Sequence, residues 1–471
     1  MSQTKEQKLI TLIFDVRYNK QIFMNSFFRK GILLMFAITM ATTVSARQWT
    51  LRQCIDYALQ NNISLQKKHL TKLSAQEDIM LSQSALLPSL SASTGHNVSY
   101  QPFPETGRAT VQNGYVEQNV DKVFYNGSYS INSNWTVWNG NRNRNTIKLN
   151  KMSAEQAEVD SAITANNIQE QIAQLYVQIL YSSEAINVSK KSLETSKQNE
   201  QRGQAFVDVG KMSRADLAQL TSQRAQDEYS IVEAESNLRN YKRQLKQLLQ
   251  ITDEEEFDIV VPTTTDEMAL QLIPTLQSVY EAAIEQRPEI KNAKLGIKTS
   301  ELNIKMAKAQ RLPTVGVSAN AITNTSSMSN YSWGTQLKSN FNLGAGFNVS
   351  IPILDNRSTK TAVNKAMIQR ENYMLDLRDK QTTLYSTIEN YWLQAMTNQE
   401  KFKAAKIATQ SAATSYEMLS GKFEQKLINI VELMQGRDAL LKAQQNELQS
   451  KYLTILNLDM LNFYKTGDLR D

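Results

Sequence analysis

From Asn141 to Asp208 the chain reads NRNRNTIKLNKMSAEQAEVDSAITANNIQEQIAQLYVQILYSSEAINVSKKSLETSKQNEQRGQAFVD, without a proline and with Gly203 as its only glycine. Ile172, Leu175, Ile179, Ile186 and Leu193 recur at heptad spacing, with the slot at Ser182 left polar. That pattern predicts one amphipathic helix packed against partners along its length. At about 1.5 Å per residue it would reach roughly 100 Å, far beyond what a globular domain needs. Asn356 to Glu424 repeats the design with Leu377, Leu384, Ile388 and Tyr391, interrupted only by Gly421. Each long helix is expected to turn, near Gly210 or Leu427, and to return as a second amphipathic helix over Ser213–Leu249 or Asn429–Phe463.

Upstream of each long helix the period changes. Residues 66–86 and 291–311 are helical in composition and end at Leu87-Pro88 and Leu312-Pro313, where proline pushes its predecessor to an extended conformation. Strands are expected over Ser89–Tyr100, Ser128–Trp138 and Thr314–Thr325. In the second of these Tyr129, Ile131, Ser133, Trp135 and Val137 share a face opposite Ser128, Ser130, Asn132, Asn134 and Thr136. Phe341, Leu343, Ala345, Phe347, Val349 and Ile351 form the matching face of a fourth strand. One wet and one greasy face predict an antiparallel sheet.

The two halves are copies. Ala58–Leu65 matches Ala283–Ile290, and Leu87–Ser93 matches Leu312–Ser318, both at an offset of 225. Trp138-Asn-Gly-Asn-Arg142 matches Leu354-Asp-Asn-Arg357 at 215, and Asp216-Leu217 matches Glu432-Leu433 at 216. The expected organisation is a first repeat at 47–250, a polar connector at 251–275, a second repeat at 276–466 and a tail at 467–471.

Residues 1–46 have the marks of a secretory signal: Arg29 and Lys30, an apolar run from Gly31 to Met40, then Val44-Ser45-Ala46 before a cleavage point at Arg47. The stretch before Met24 holds charges and no apolar run, which suggests an over-long start. The apolar run is shorter than the roughly 20 residues of a membrane-spanning helix. Removing these residues, six basic against two acidic, takes a net +4 from a total of +6 and leaves +2, so basicity does not argue for nucleic acid. Cys54 is the only cysteine, which excludes an intrachain disulfide and fits a small core residue in a helix.

Catalytic chemistry finds no foothold. His69 and His96 are the only histidines and lack ligand spacing to each other or to Cys54. There is neither a phosphate-binding loop nor a serine elbow, so no enzyme activity, cofactor or metal is expected. Two strands per half make four per chain, too few to enclose a pore, and strands in lipid need a closed barrel. Several chains must therefore pool their strands. Tyr129, Trp135, Trp138, Tyr331 and Trp333 lie in or beside the strands, where rings could anchor at a lipid interface. The competing use for such aromatics is the core of a β-sandwich.

The element order, present twice behind a signal peptide, resembles the TolC family of outer-membrane efflux proteins over nearly all of the mature chain. The sharpest local match is Val207-Asp-Val209-Gly210-Lys-Met-Ser213-Arg-Ala-Asp216-Leu217. The resemblance implies a mainly α chain with a β-barrel: a homotrimer whose four strands per protomer build a shared 12-stranded barrel in outer-membrane lipid, continued by a periplasmic helical coiled-coil tunnel with the connector at its equator. It implies the passive exit duct of a tripartite efflux or type I secretion system, fed by an inner-membrane pump and a periplasmic adaptor. It also places adaptor-docking tips at Val209, Gly210, Lys211, Met212 and Ser213 and at Lys426, Leu427, Ile428 and Asn429, with Asp216 and Glu432 at a pore constriction. Three departures stand out: Lys426 where the repeat predicts glycine, Ile428 where the family has a basic gating partner, and Gln435 at a second acidic position. Two other classes compete, an exported trimeric coiled-coil adhesin or stalk and a soluble periplasmic scaffold. The first should lack paired strands, and the second should need no detergent.

Overall fold

A computed structural model of the chain describes residues 47–103, 107–111, 114–118, 122–252, 257–262 and 264–469. The expected signal segment, 1–46, lies outside them. The elements are β1 (Arg47–Trp49), α1 (Leu51–Asn61), α2 (Ile63–Ser84), β2 (Ser89–Tyr100), β3 (Gly107–Val111), β4 (Gly114–Gln118), β5 (Val123–Trp138), α3 (Arg142–Asp208) and α4 (Arg214–Leu249). After the connector come β6 (Phe257–Ile259), α5 (Asp266–Ala269), α6 (Leu276–Gln286), α7 (Pro288–Ala309), β7 (Thr314–Ser326), α8 (Trp333–Ser339), β8 (Asn342–Ser350), α9 (Ser358–Glu424) and α10 (Ile430–Thr466).

The long helices have the predicted lengths, 67 residues each. Helices α1 and α2 and strand β2 begin 225 residues before α6, α7 and β7, whereas α3 and α4 begin 216 before α9 and α10. The offset of 215 at the strand-to-helix junction is therefore corrected to 216. Asn141 and Arg357, not Arg142 and Arg357, are the equivalent residues, and both are left-handed N-caps, at φ 64° and 67°. The nine-residue difference sits in the excursions between the paired strands. One excursion carries the β3–β4 hairpin and the other carries α8, neither of which the residue pattern announced.

Two compact units divide the chain. In the smaller, β1 pairs in parallel with β6, and the Trp49 and Phe257 rings lie 6.2 Å apart. Residues 47–49 thus leave the first repeat, and the expected polar connector contributes a strand. It also contributes α5 to the larger unit, where Asp266 takes salt bridges from Lys406 at 2.7 Å and Lys451 at 3.1 Å.

In the larger unit α3 is central. Helix α2 packs on one side of the half of α3 nearer the strands and α7 on the other, with α9 beyond α7; along its distal half α4 and α10 take those places, with α9 again beyond. The packed stripe includes Ile172, Ile179 and Ile186 of α3, Ile388 and Phe402 of α9, and Tyr452 and Phe463 of α10, all buried. Leu175 and Leu193 of the expected heptad are only half-buried. Cys54 of α1 is fully buried, as expected, and burial pushes its thiol up to about 12.

Candidate functional site

Strands β2, β5, β7 and β8 form one antiparallel sheet in that order, so the β5–β7 ladder joins the two repeats. Its two faces differ in character, although Thr94, His96 and Ser133 lie on the apolar face and Phe124 and Ile322 on the polar one. One carries Leu90, Ala92, Val98, Ile131, Val317, Leu343, Phe347 and Val349. The other is a field of serine and asparagine, in which Ser93 and Ser130 bond at 2.7 Å and Asn132 donates to Ser130 at 3.0 Å. The four strands contain no Asp, Glu, Lys or Arg. Leu90 is 76% exposed, Leu343 71% and Phe347 70%, so none of the described residues covers the greasy face there. Exposed apolar area on that scale marks a surface built for lipid or protein.

At the helix end of the sheet the β5–β7 register slips between Thr136 and Trp138. Trp135 pairs with Val317 and Trp138 with Val315, so both indoles share the greasy face. Val137, expected there by strict alternation, is instead the bulged residue; the extra residue reverses parity locally. Farther along β5 Tyr129 lies on the same face, with Tyr125 and Val123 beyond it, and its ring meets Trp333 edge-on at 6.1 Å. Trp333 opens the short helix α8, and Tyr331 lies in the loop before it, 69% exposed. Nine residues of β5 separate Tyr129 from Trp138; at about 3.3 Å each and a tilt of roughly 40°, they rise about 23 Å. An apolar band in an outer-membrane barrel is about 25 Å tall.

The far ends of the hairpins carry the predicted tips. In the first, Gly210 adopts φ 70° and Lys211 N–H donates to Phe206 C=O at 2.7 Å, the closure in which a left-handed glycine is favoured. The second tip makes the same turn with Lys426 at φ 62° and Leu427 N–H donating to Lys422 C=O at 2.9 Å. A side chain in that conformation costs roughly 1 kcal/mol. The Lys426 ammonium reaches back to the first hairpin, 5.5 Å from the Phe206 ring centroid, a contact that offsets part of the cost.

Asp216 and Glu432 occupy one local role twice. Ser213 Oγ donates to Asp216 Oδ2 at 2.8 Å and accepts from Asp216 N–H at 3.1 Å. Asn429 Nδ2 donates to Glu432 Oε1 at 2.8 Å, and its Oδ1 accepts from Glu432 N–H at 2.9 Å. Each acid therefore stabilises the positive end of its returning helix. Asp216 is half-buried and Glu432 exposed, and no ion pair among the described residues includes either.

What holds the two hairpins together was not foreseen. Leu220, Phe423, Ile430 and Leu433 form a buried cluster, with Met212 and Ile428 packed against it. Ile428, the departure from a basic residue, is thus an apolar contact between hairpins. Farther up, Arg437 of α10 pairs with Asp227 of α4, Nη2 to Oδ1 at 3.0 Å, with both side chains buried. Ser196 of α3 donates to the same carboxylate. Burial works against the Asp227 charge, but hydrogen bonds from Arg437, Ser196 and Gln223 outweigh it and hold the pKa below the ordinary carboxylate range. The available signal was positional: Arg437 continues the apolar spacing of Ile430 and Leu433.

A sheet with one greasy and one uncharged polar face, attached to paired hairpins with greasy edges, is one wall segment of a membrane-anchored helical tube. No described helix is long and apolar enough to cross a membrane, and no cluster of metal-binding side chains occurs among the described residues. The family model for outer membrane efflux proteins matches residues 54–249 and 279–462. The chain is 19% identical to outer membrane efflux protein BepC of Brucella suis, over 90% of this chain and 87% of the relative. It is 21% identical to outer membrane protein TolC of Vibrio cholerae, over 91% and 94%. The fold matches the CmeC outer membrane channel of Campylobacter jejuni with a TM-score of 0.71 at 17% identity, over 89% of this chain and 87% of that one. The chain belongs to the outer membrane efflux protein family. It is a TolC-like efflux protein of the outer membrane that extends into the periplasm.

Proposed function

We propose that three copies of this chain close into a passive exit duct that takes substrate from an inner-membrane pump through a periplasmic adaptor. The observation that carries this is the pair of free sheet edges. Among the described residues strands β2 and β8 have no outer neighbour, and β2, β5, β7 and β8 alternate in direction. The β2 edge of one copy is therefore antiparallel to the β8 edge of the next, so copies can close a barrel without a parallel mismatch. Three copies make 12 strands, with the serine and asparagine face inward and the greasy face toward lipid. The helix edges agree: Ile63, Leu70 and Met80 of α2, Tyr229 and Val232 of α4, and Ile368, Leu375 and Ile407 of α9 are exposed apolar residues at the margins of the wall.

In this duct Tyr129, Trp135, Trp138, Tyr331 and Trp333 anchor at the two lipid interfaces. The tips Val209–Ser213 and Lys426–Asn429 meet the adaptor, with Val209 and Leu427 presenting exposed apolar side chains there. Three copies of Asp216 and of Glu432 form acidic rings near the periplasmic entrance that favour cations. The duct carries out no catalysis and uses no cofactor. Membrane fractionation followed by planar-bilayer recording tests the proposal: outer-membrane, detergent-stable trimers with a closed or weakly conducting pore are expected. Soluble monomers would refute it.

A further inference from the structure

We infer that the junction between sheet and helices is a basic collar that binds the headgroups of anionic phospholipids in the periplasmic leaflet. The inference rests on the orientation given above, with the helices on the periplasmic side. Four stretches meet at this level: 73–87 at the end of α2, 139–151 before and into α3, 298–312 at the end of α7, and 351–365 before and into α9. Together they hold eleven Lys or Arg against four carboxylates, Glu77, Asp78, Glu301 and Asp355, in a chain whose total net charge is +6. Two of those acids are engaged: Glu301 pairs with Arg370 at 3.5 Å, and Asp355 accepts from Thr359 N–H at 2.9 Å. No carboxylate pairs with Arg142, Arg144, Arg357 or Lys360 among the described residues. Arg144, Arg357 and Lys360 are exposed, as are Lys308 and Arg311.

Local helix energetics do not account for these cations. Four of them stand in or next to the first turns of α3 and α9, where a cation opposes the helix dipole, and neither first turn contains an acid. The returning helices α4 and α10 follow the opposite and favourable rule with Asp216 and Glu432. A charge pattern that conflicts with its own helix is expected where an outside partner supplies the compensation. The neighbouring residues identify that partner. At three of these junctions an apolar residue on or next to the sheet gives way to cations within a few positions: Trp138 to Arg142, Leu312 to Arg311, and Ile353-Leu354 to Arg357. Ile353 is 90% exposed and Leu354 92%. Since the strands carry no charge, these are the first cations below the apolar band, at headgroup depth, where anionic lipid attracts them.

The test uses the full-length protein in nanodiscs of phosphatidylethanolamine with and without phosphatidylglycerol, with bound lipid counted by native mass spectrometry. The wild type should enrich phosphatidylglycerol, and 1 M salt should weaken the enrichment. The quadruple variant R142Q/R144Q/R357Q/K360Q should lose it, by up to about fivefold per cation removed. K338Q, on α8 at the other end of the sheet, should retain it. Equal enrichment in wild type and quadruple variant would overturn the inference. So would a quadruple variant that changes only the reversal potential of the pore, because the cations would then face the lumen. A conducting trimer without enrichment sinks this inference alone, whereas enrichment by a protein that never forms a trimer sinks the duct alone.

Discussion

Near the tips, the two hairpins make one contact with its partners exchanged. In the first hairpin a Cβ added to Gly203 of α3 would lie 2.6 Å from Leu220 Cδ1 of α4. In the second, a Cβ added to Gly436 of α10 would lie 2.4 Å from Leu419 Cδ1 of α9. At the offset of 216, Gly203 corresponds to Leu419 and Leu220 to Gly436, so knob and hole have changed helices. The pair should therefore behave as a unit. Gly203→Leu alone forces two leucines into one site and should cost about 1–3 kcal/mol. Leu220→Gly alone empties a buried site, since Leu220 is 3% exposed, and should cost about 2–5 kcal/mol plus about 1 for a helical glycine. The double variant recreates in the first hairpin the arrangement of the second, and its helical glycine has only moved from α3 to α4, but it gives up the contact of Leu220 with Phe423, Ile430 and Leu433. It should be less destabilised than the sum of the two singles by about 1–3 kcal/mol, a favourable coupling in a double-mutant cycle. Thermal denaturation of the detergent-solubilised protein, with limited proteolysis at the tip, reads the effect. A double variant as unstable as the sum of the two singles would refute size complementarity as the cause of the exchange.

Five further outcomes follow from the tips and the helices behind them. Lys426→Gly relieves the left-handed backbone but loses the contact with Phe206, so stability should change by less than about 1 kcal/mol, whereas Lys426→Ala should destabilise by about 1 kcal/mol in the same assay. Arg437→Ala strands the buried Asp227 carboxylate and should cost about 3–5 kcal/mol, seen as faster proteolysis of the hairpins. Because the Asp227 pKa is lowered on folding, its stabilisation is present above the ordinary carboxylate range and is lost as pH falls below it; a melting curve flat from pH 5 down to pH 2 would contradict this. Asp459 behaves oppositely: burial pushes its carboxyl up to about 7, so its contribution to stability declines as pH rises from about 4 to 7, and Asp459→Asn should flatten that decline. Finally, Asp216→Asn with Glu432→Gln keeps an acceptor for each cap but removes the charge; single-channel recording should show higher conductance or weaker divalent block, and no change would remove both acids from the constriction.

Much of this architecture could be read from residue order because it rests on periodicity over long distances. Prolines at 88 and 313 end α2 and α7 within four residues, and the absence of proline from 142–208 and 358–424 leaves the helices nothing to stop at. The tips were legible for the same reason, although Lys426 shows that a left-handed turn can be held by a side chain that finds a partner across the hairpin. Contacts between the repeats were not legible. The Arg437–Asp227 pair joins residues 210 apart, and only packing reveals that position 437 faces inward. The bulge at Val137 was hidden because alternation cannot register a single inserted residue until the partner strand is known. Helix α8 begins at a serine cap inside a stretch with too few residues to display a period.

In the proposed duct β2 of one copy meets β8 of the next and the ring closes at three. Cysteines placed in pairs along β2 and β8, scanned through successive registers, test it by oxidation in intact cells. Cys54 does not compete, being fully buried with its thiol pushed up to about 12. Pairs in register should give disulfide-linked dimers and trimers in the outer-membrane fraction, with no larger species. A ladder that runs past three, or no cross-link at any register, would contradict it.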